Sequence, residues 1–408
     1  MSATDPPVIL LVAEAVTLAH YGRILSLARA LPPECYRVVV AADPRYTPLD
    51  PPAPLDYRPL ASIEPARFSA ALAQGQPLYD EATLAAYVEA DLALLHAVRP
   101  DVIIGDFRLS LAVSAPLVGV PYAALVNAYW SPYAETGYPV PDLPFTRVLG
   151  LRLGQALFDI ARPLAFALHA RPLNRLRRHY GLGVIGHDLR RVYTWGDYTL
   201  YADAPEVVPT RALPSTHRYL GPVTWSAPTP LPVAGAIPEA RRPIVLLTLG
   251  SSGRTERLEQ IVRALARLPI TLLVATAGRS VLTGLPGNVV VVDYLPLATA
   301  IERARLLICN GGSLTTYQAL AAGVPVLGLA ANMDQMLNMQ AVARLGAGRW
   351  LRAARASPAA VCTAAARLLD DPSTSAAAQR TAARLRAWDA GARLCGILDE
   401  ILARRSRS

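Results

Sequence analysis

Asn310, Gly311, Gly312 and Ser313 sit between an apolar strand, Leu306 to Cys309, and a helix expected from about Leu314 to Ala322. The first N–H groups of a helix lack intrahelical partners, and they attract anions. Glycines let a phosphate approach the main chain closely. Gly323 suits the left-handed position just past the helix, and Val324-Pro325 opens a second apolar strand. Beyond that strand, Asn332, Asp334, Gln335 and Asn338 bring hydroxyl-binding side chains to the same edge. Phosphate donors beside hydroxyl-binding groups are the chemistry of a nucleotide-sugar pocket. A second kind of chemistry is possible at His20 and Asp106, each of which follows an apolar strand. A neutral imidazole can take a proton near neutral pH. A lone histidine there is equally a surface or helix-capping residue, and Asp106 equally a cap for the helix that follows it.

The stretch from Asn310 to Gln335 resembles the donor-binding motif of UDP-glycosyltransferase-like enzymes, which have the two-domain GT-B fold. In those enzymes a His-Gly-Gly or similar turn meets the donor pyrophosphate, and an Asp/Glu-Gln pair beyond a Gly-Val-Pro strand holds sugar hydroxyls. The resemblance implies pyrophosphate contacts from Asn310, Gly311, Gly312 and Ser313, and sugar contacts from Asp334 and Gln335. Gly250 and Ser251 match a second phosphate contact, with Ser252 an alternative. Thr315 is a further phosphate ligand or an ordinary first-turn residue, as is Thr316. Gln318 falls where many relatives bind the ribose. Tyr294, followed by Leu295, falls where they stack an aromatic on the base; an ordinary half-buried tyrosine is the other reading. His20 matches the catalytic base and Asp106 the carboxylate that orients it. The activity implied is inverting O-glycosyl transfer from a nucleotide sugar, UDP- or dTDP-linked, to a small-molecule or lipid acceptor near Tyr129, Trp130 and residues 143–180. Two departures stand out: Asn310 replaces the usual histidine, and Leu314 the usual glycine or asparagine. A catalytically silent nucleotide- or partner-binding relative and a sugar-nucleotide 2-epimerase are the alternatives.

These residues need a scaffold that gathers strand ends. Val8 to Val12, a helix through Leu31 and Tyr36 to Ala42 read as a βαβ opening. Residues 43–59 are proline-rich and read as irregular, Asp80 to Val98 as a helix, and Asp101 to Gly105 as a strand. Asp106 precedes Gly119-Val120-Pro121 by the same 13 residues that separate Asn310 from Gly323-Val324-Pro325, at an offset of 204 residues. The echo favours two similar halves: an α/β chain of two Rossmann-like, doubly wound parallel-sheet domains facing a central cleft. The expected boundaries are an acceptor-binding domain at 1–222 and a linker at 223–243. A donor-binding domain follows at 244–385, and a terminal helix at 386–408 packs back on the first. The linker is rich in proline and small residues, and the terminal helix reads as continuous from Ala376 to about Arg404.

Composition narrows the remaining classes. The chain has 408 residues, 52% hydrophobic and 17% charged, with a net charge of +9 carried by 40 basic residues. That length implies two cores. Every basic residue is arginine, which with abundant alanine marks a GC-rich bacterial coding sequence. The arginines are scattered rather than interleaved with aromatics, so nucleic acid is not an expected partner. Small groups at Arg171 to Arg178 and Arg404 to Arg407 read as a solvated face and a tail, with peripheral contact with acidic lipid as the lesser alternative. The four cysteines lack metal-ligand spacing and read as free thiols in a reducing cytoplasm. No basic region precedes Val8 to Val12, as a secretory signal would require. Arg152, Asp159 and Arg162 spoil residues 151–170 as a membrane span. No Asp-x-Asp element is present, so no metal clamp on the pyrophosphate and no cofactor beyond the co-substrate are expected.

Overall fold

Six apolar residues, Val8–Ala13, form the first strand, β1, with both faces covered. Such runs are the mark of parallel sheets. The computed structural model describes residues 5–51, 53–226, 228, 242–250 and 253–405. These form two units: residues 1–135, 152–223 and 388–408, and residues 136–151 and 224–387. The segment Thr136–Leu151 thus groups with the second unit rather than with the residues that flank it. Most of the expected linker lies outside the described residues.

The first unit continues with β2 (Arg37–Ala42), β3 (Asp56–Pro59), β4 (Val102–Asp106), β5 (Tyr122–Val126), β6 (Tyr198–Tyr201) and β7 (His217–Tyr219). The sheet is parallel throughout, in the order β3-β2-β1-β4-β5-β6-β7. β3 corrects the expectation that residues 43–59 are irregular. It is a four-residue edge strand ending at Pro59, a place where the missing N–H does little harm. Helix Leu18–Ala30 covers one face. Helix Glu81–Val98 starts at Asp80, whose carboxylate accepts from the N–H of Thr83 at 2.7 Å. Helix Pro144–His179 is interrupted at Gly150, where φ is +74°.

The second unit holds β8 (Ile244–Thr248), β9 (Thr271–Ala275), β10 (Val289–Val292), β11 (Ala304–Cys309), β12 (Val326–Ala330) and β13 (Gly348–Arg352). Its sheet is also parallel, in the order β10-β9-β8-β11-β12-β13. The two echoed stretches are β4–helix–β5 and β11–helix–β12, which occupy matching places next to β1 and β8. Gly119 and Gly323 end the two helices at φ of +65° and +72°.

The terminal helix is not continuous. Helix Pro372–Leu385 belongs to the second unit and helix Ala390–Arg405 to the first. Between them Asp389 accepts from the N–H of Ala392 at 3.0 Å and starts a fresh helix. Trp388 packs on Gly221, where any Cβ would lie 2.6 Å from the Trp388 Cβ. Leu394 and Leu398 then enter the core beside β1 and helix Leu18–Ala30.

Candidate active site

Ala13 and Asp106 are register partners, so β1 and β4 end side by side. The N–H of Glu14 donates to the Asp106 carbonyl at 3.0 Å and holds the two exits together. Helix Leu18–Ala30 begins a few residues later and carries His20 in its first turn. His20 Nδ1 lies 2.8 Å from Asp106 Oδ1. With its proton on Nδ1 donated to this carboxylate, the ring keeps a lone pair on Nε2. Asp106 therefore holds the histidine and does not cap the next helix, which starts at Leu111.

Arg23 is one turn further along the same face. Its Nε donates to Asp106 Oδ2 at 2.8 Å and its Nη2 to Oδ1 at 2.7 Å. Its Nη1 donates to Asn127 Oδ1 at 2.8 Å, and Asn127 Nδ2 donates to Asp203 Oδ2 at 3.2 Å. Asp106 is fully buried. Burial opposes its charge, but Arg23 and then His20 outweigh burial and hold the carboxyl below its ordinary value. The ends of β1, β4, β5 and β6 thus meet in one charged network around His20.

An aromatic group adjoins the imidazole. The Phe107 ring is stacked on His20 with centroids 5.3 Å apart and planes 8° apart. Phe68 and Tyr193 meet Phe107 edge-on, and Trp130 meets Tyr193 edge-on at 5.1 Å. Trp130 is half-buried here, whereas Tyr129 is 0% exposed. Tyr129 is a packing residue, which corrects its assignment to a ligand-contacting surface.

Beneath this group lies a second buried cluster. Arg108 Nη1 donates to Glu14 Oε2 at 3.0 Å, and Arg108 Nε donates to Asp91 Oδ1 at 3.1 Å. Tyr87 donates to Glu14 Oε1 at 2.8 Å and lies under the guanidinium, 3.6 Å from ring centroid to Arg108 Cζ. Burial pushes Glu14 and Asp91 above their ordinary values, and Arg108 acts against it. The cluster ties the loop after β1 to the loop after β4, the two loops that carry Glu14 and Phe107.

In the second unit the glycine turn leaves β11, and the helix after it spans Ser313–Ala321, with Gly312 at its cap. The N–H of Gly311 donates to Cys309 Sγ at 3.3 Å, and that of Gly312 to Asn310 Oδ1 at 3.1 Å. The N–H groups of Leu314 and Thr315 fall in the first turn, where intrahelical acceptors are lacking. Gly311 has φ of +82°, and a Cβ there would lie 2.6 Å from Met339 Cγ; only glycine fits. Asn338 braces the turn through Nδ2, which donates to the Gly311 carbonyl and to the Thr316 hydroxyl at 2.8 Å each. Thr316 is fully buried and structural.

Gly250, at φ +58°, brings the loop after β8 to the same place: a Cβ on it would lie 3.6 Å from Asn310 Nδ2. Ser251 and Ser252 lie outside the described residues. Arg279 braces this loop through the carbonyls of Gly250 and Gly253, at 3.2 and 2.7 Å. Tyr294 is half-buried, its hydroxyl 3.4 Å from the Ala277 carbonyl, and Leu295 follows it. Gln318 Nε2 donates to the Trp225 carbonyl at 2.6 Å, so its amide already holds the chain leading to the second sheet. Asp334 and Gln335 lie in the first turn of helix Met333–Arg344, capped by Asn332. Gln335 is buried and its Oε1 accepts from the N–H of Ala331 at 2.8 Å. Asp334 is half-exposed beside it. Among the described residues no three His, Cys, Asp or Glu side chains form a metal-binding group.

Arg23 and Phe107 are not among the residues to which the sequence points. Arg23 left a signal, since a residue three positions after His20 shares its helix face. Phe107 left none.

Two doubly wound parallel sheets, one ending in a His–Asp pair and the other in a glycine turn at a helix start, define the GT-B class of glycosyltransferases. A family model described as Erythromycin biosynthesis protein CIII-like, C-terminal domain, matches residues 247–400. The chain is 49% identical over 374 residues to a PGL/p-HBAD biosynthesis glycosyltransferase of Mycobacterium tuberculosis (strain ATCC 25177 / H37Ra), covering 92% of this chain and 87% of that one. It is also 49% identical over 374 residues to a PGL/p-HBAD biosynthesis rhamnosyltransferase of Mycobacterium bovis (strain BCG / Pasteur 1173P2), covering 92% and 83%. Among solved structures, Spinosyn Rhamnosyltransferase SpnG superposes with a TM-score of 0.70 at 21% identity, covering 96% of this chain and 99% of that one. The chain belongs to the family of bacterial UDP-glycosyltransferase-like GT-B glycosyltransferases that includes these mycobacterial relatives.

Proposed function

We propose that the protein is an inverting O-glycosyltransferase with His20 as the base that deprotonates the acceptor. The 2.8 Å contact between His20 Nδ1 and Asp106 carries the reading, because it leaves Nε2 to receive a proton. The acceptor hydroxyl gives its proton to Nε2 while its oxygen bonds to the anomeric carbon. The bond from that carbon to the diphosphate oxygen breaks, and the electron pair leaves on the diphosphate. One displacement inverts the carbon. Asp106 stabilises the imidazolium without taking its proton. The first-turn amides after Gly312, with Gly250, bear the growing charge on the leaving group, and Asp334 and Gln335 hold sugar hydroxyls. No metal is assigned a part in this scheme.

Trp130, Tyr193, Phe107 and Phe68 favour an apolar or aromatic acceptor. The relatives named for PGL/p-HBAD biosynthesis make those acceptors the first to assay, with a dTDP- or UDP-linked rhamnosyl donor. A cytoplasmic site of action fits a nucleotide-sugar co-substrate. The deciding experiment pairs product formation with calorimetric titration of dTDP, UDP and GDP. His20→Ala should abolish transfer and leave nucleotide affinity unchanged. Equal loss of both removes His20 from the role of base; nucleotide binding without product from any acceptor makes the protein a silent relative.

A further inference from the structure

The helix after Gly150 carries an apolar stripe that its own unit leaves uncovered. Leu153, Leu157, Ile160, Leu164 and Leu168 are 51%, 45%, 79%, 63% and 41% exposed. Their spacing of three and four residues puts them on one face. At 1.5 Å per residue the stripe runs about 22 Å. Opposite it, Phe158, Phe166, Ala170, Leu173 and Leu176 are buried, so the exposed leucines are not a frayed end. Contiguous apolar surface of this kind marks a contact with another phase or partner.

The same face continues into charge. Arg171, Arg175 and Arg178 follow Leu168 at the same helical spacing and are exposed. Among the described residues of this helix, no acidic side chain lies on this face. Asp159, to one side of it, sits 3.7 Å from Arg162, and Arg175 has a carboxylate at 3.9 Å, that of Glu81. We propose that this face is a docking surface for an anionic lipid bilayer: the leucines enter the headgroup boundary and the arginines meet lipid phosphates. Charge decides against a second copy of this chain. Parallel stripes would set arginine against arginine, and antiparallel stripes would bury arginine on leucine. Among the described residues no helix is long and apolar enough to cross a membrane, so the contact is at the surface. The inference does not depend on the proposed reaction.

The test is vesicle flotation of the full chain with phosphatidylcholine alone and with added phosphatidylglycerol. The protein should float only with the anionic vesicles, and high salt should release it. A triple variant, Leu157→Ser with Ile160→Ser and Leu164→Ser, and a double variant, Arg171→Ser with Arg178→Ser, should each bind at least about tenfold more weakly. Both should unfold at the wild-type temperature, since every replaced side chain is exposed. Absence of flotation with either vesicle overturns the proposal, as does wild-type binding by both variants. A solution dimer that the triple variant dissolves would assign the stripe to a second copy and overturn it too.

Discussion

Phe107 lies flat on His20, and it does so from a left-handed backbone at φ +61°. A bulky residue rarely adopts that conformation, so the surrounding structure must impose it. Phe107 connects Asp106, which holds the imidazole, to Arg108, which anchors the buried carboxylates. The stack should be worth about 1 kcal/mol. Phe107→Leu is expected to lower kcat roughly fivefold while the nucleotide Kd stays put. An unchanged kcat would make the ring packing alone.

Asp106→Asn should reduce turnover by about a thousandfold or more, because the imidazole loses its orienting charge. It also takes from the buried Arg23 guanidinium the carboxylate to which it donates twice, a defect of about 3–5 kcal/mol. The Asp106 carboxyl is held below its ordinary value of 3.8. Its stabilisation is therefore complete above that value and lost as pH falls through the folded one. The gap in melting temperature between wild type and Asp106→Asn should narrow as the solution is acidified below about 4. A constant gap would mean that the charge is not what stabilises.

Arg108→Met strands Glu14 and Asp91 in the interior and should cost about 3–5 kcal/mol of unfolding free energy by denaturant titration. Adding Glu14→Gln and Asp91→Asn should recover most of it. Failure to recover would show that the guanidinium matters for packing on Tyr87 rather than for charge.

Asn310→His installs the histidine expected at this turn from the resemblance to UDP-glycosyltransferase-like enzymes. Asn310 Oδ1 now accepts from the N–H of Gly312, and a histidine with its lone pair on Nδ1 can do the same. Turnover is expected to hold or to rise. A collapse in kcat would show that the amide has a task of its own, such as holding the loop at Gly250.

Local signals made the glycine turn, the strands flanking it and the echoed halves legible. Apolar runs, glycines at helix ends and polar loop residues are all short-range features. Position after a strand, joined to family resemblance, pointed to His20 and Asp106, which the fold brings within 2.8 Å; their catalytic roles are the proposal. The rest of the network spans long separations: Arg108 to Glu14 is 94 residues and Asn127 to Asp203 is 76, and no pattern in the chain couples them. Tyr129 misled because an aromatic beside Trp130 looks the same whether it faces a ligand or the core. β3 and β13 were hidden because short edge strands show little alternation. The break at 386–389 was hidden because alanine and arginine propensity runs straight through it.

The hydroxyl of Tyr36 donates to Asp399 at 2.7 Å across 363 residues of chain. Helix Ala390–Arg405 seals a core begun by β1, and the whole second unit is threaded between the two. During synthesis the earliest strands therefore wait, with part of their apolar face bare, until helix Ala390–Arg405 leaves the ribosome. The inserted unit needs no such wait. Its assembly first would bring the distant ends together and shorten the effective loop to be closed. A chain truncated before Trp388 should yield a sound second unit attached to an aggregation-prone first one.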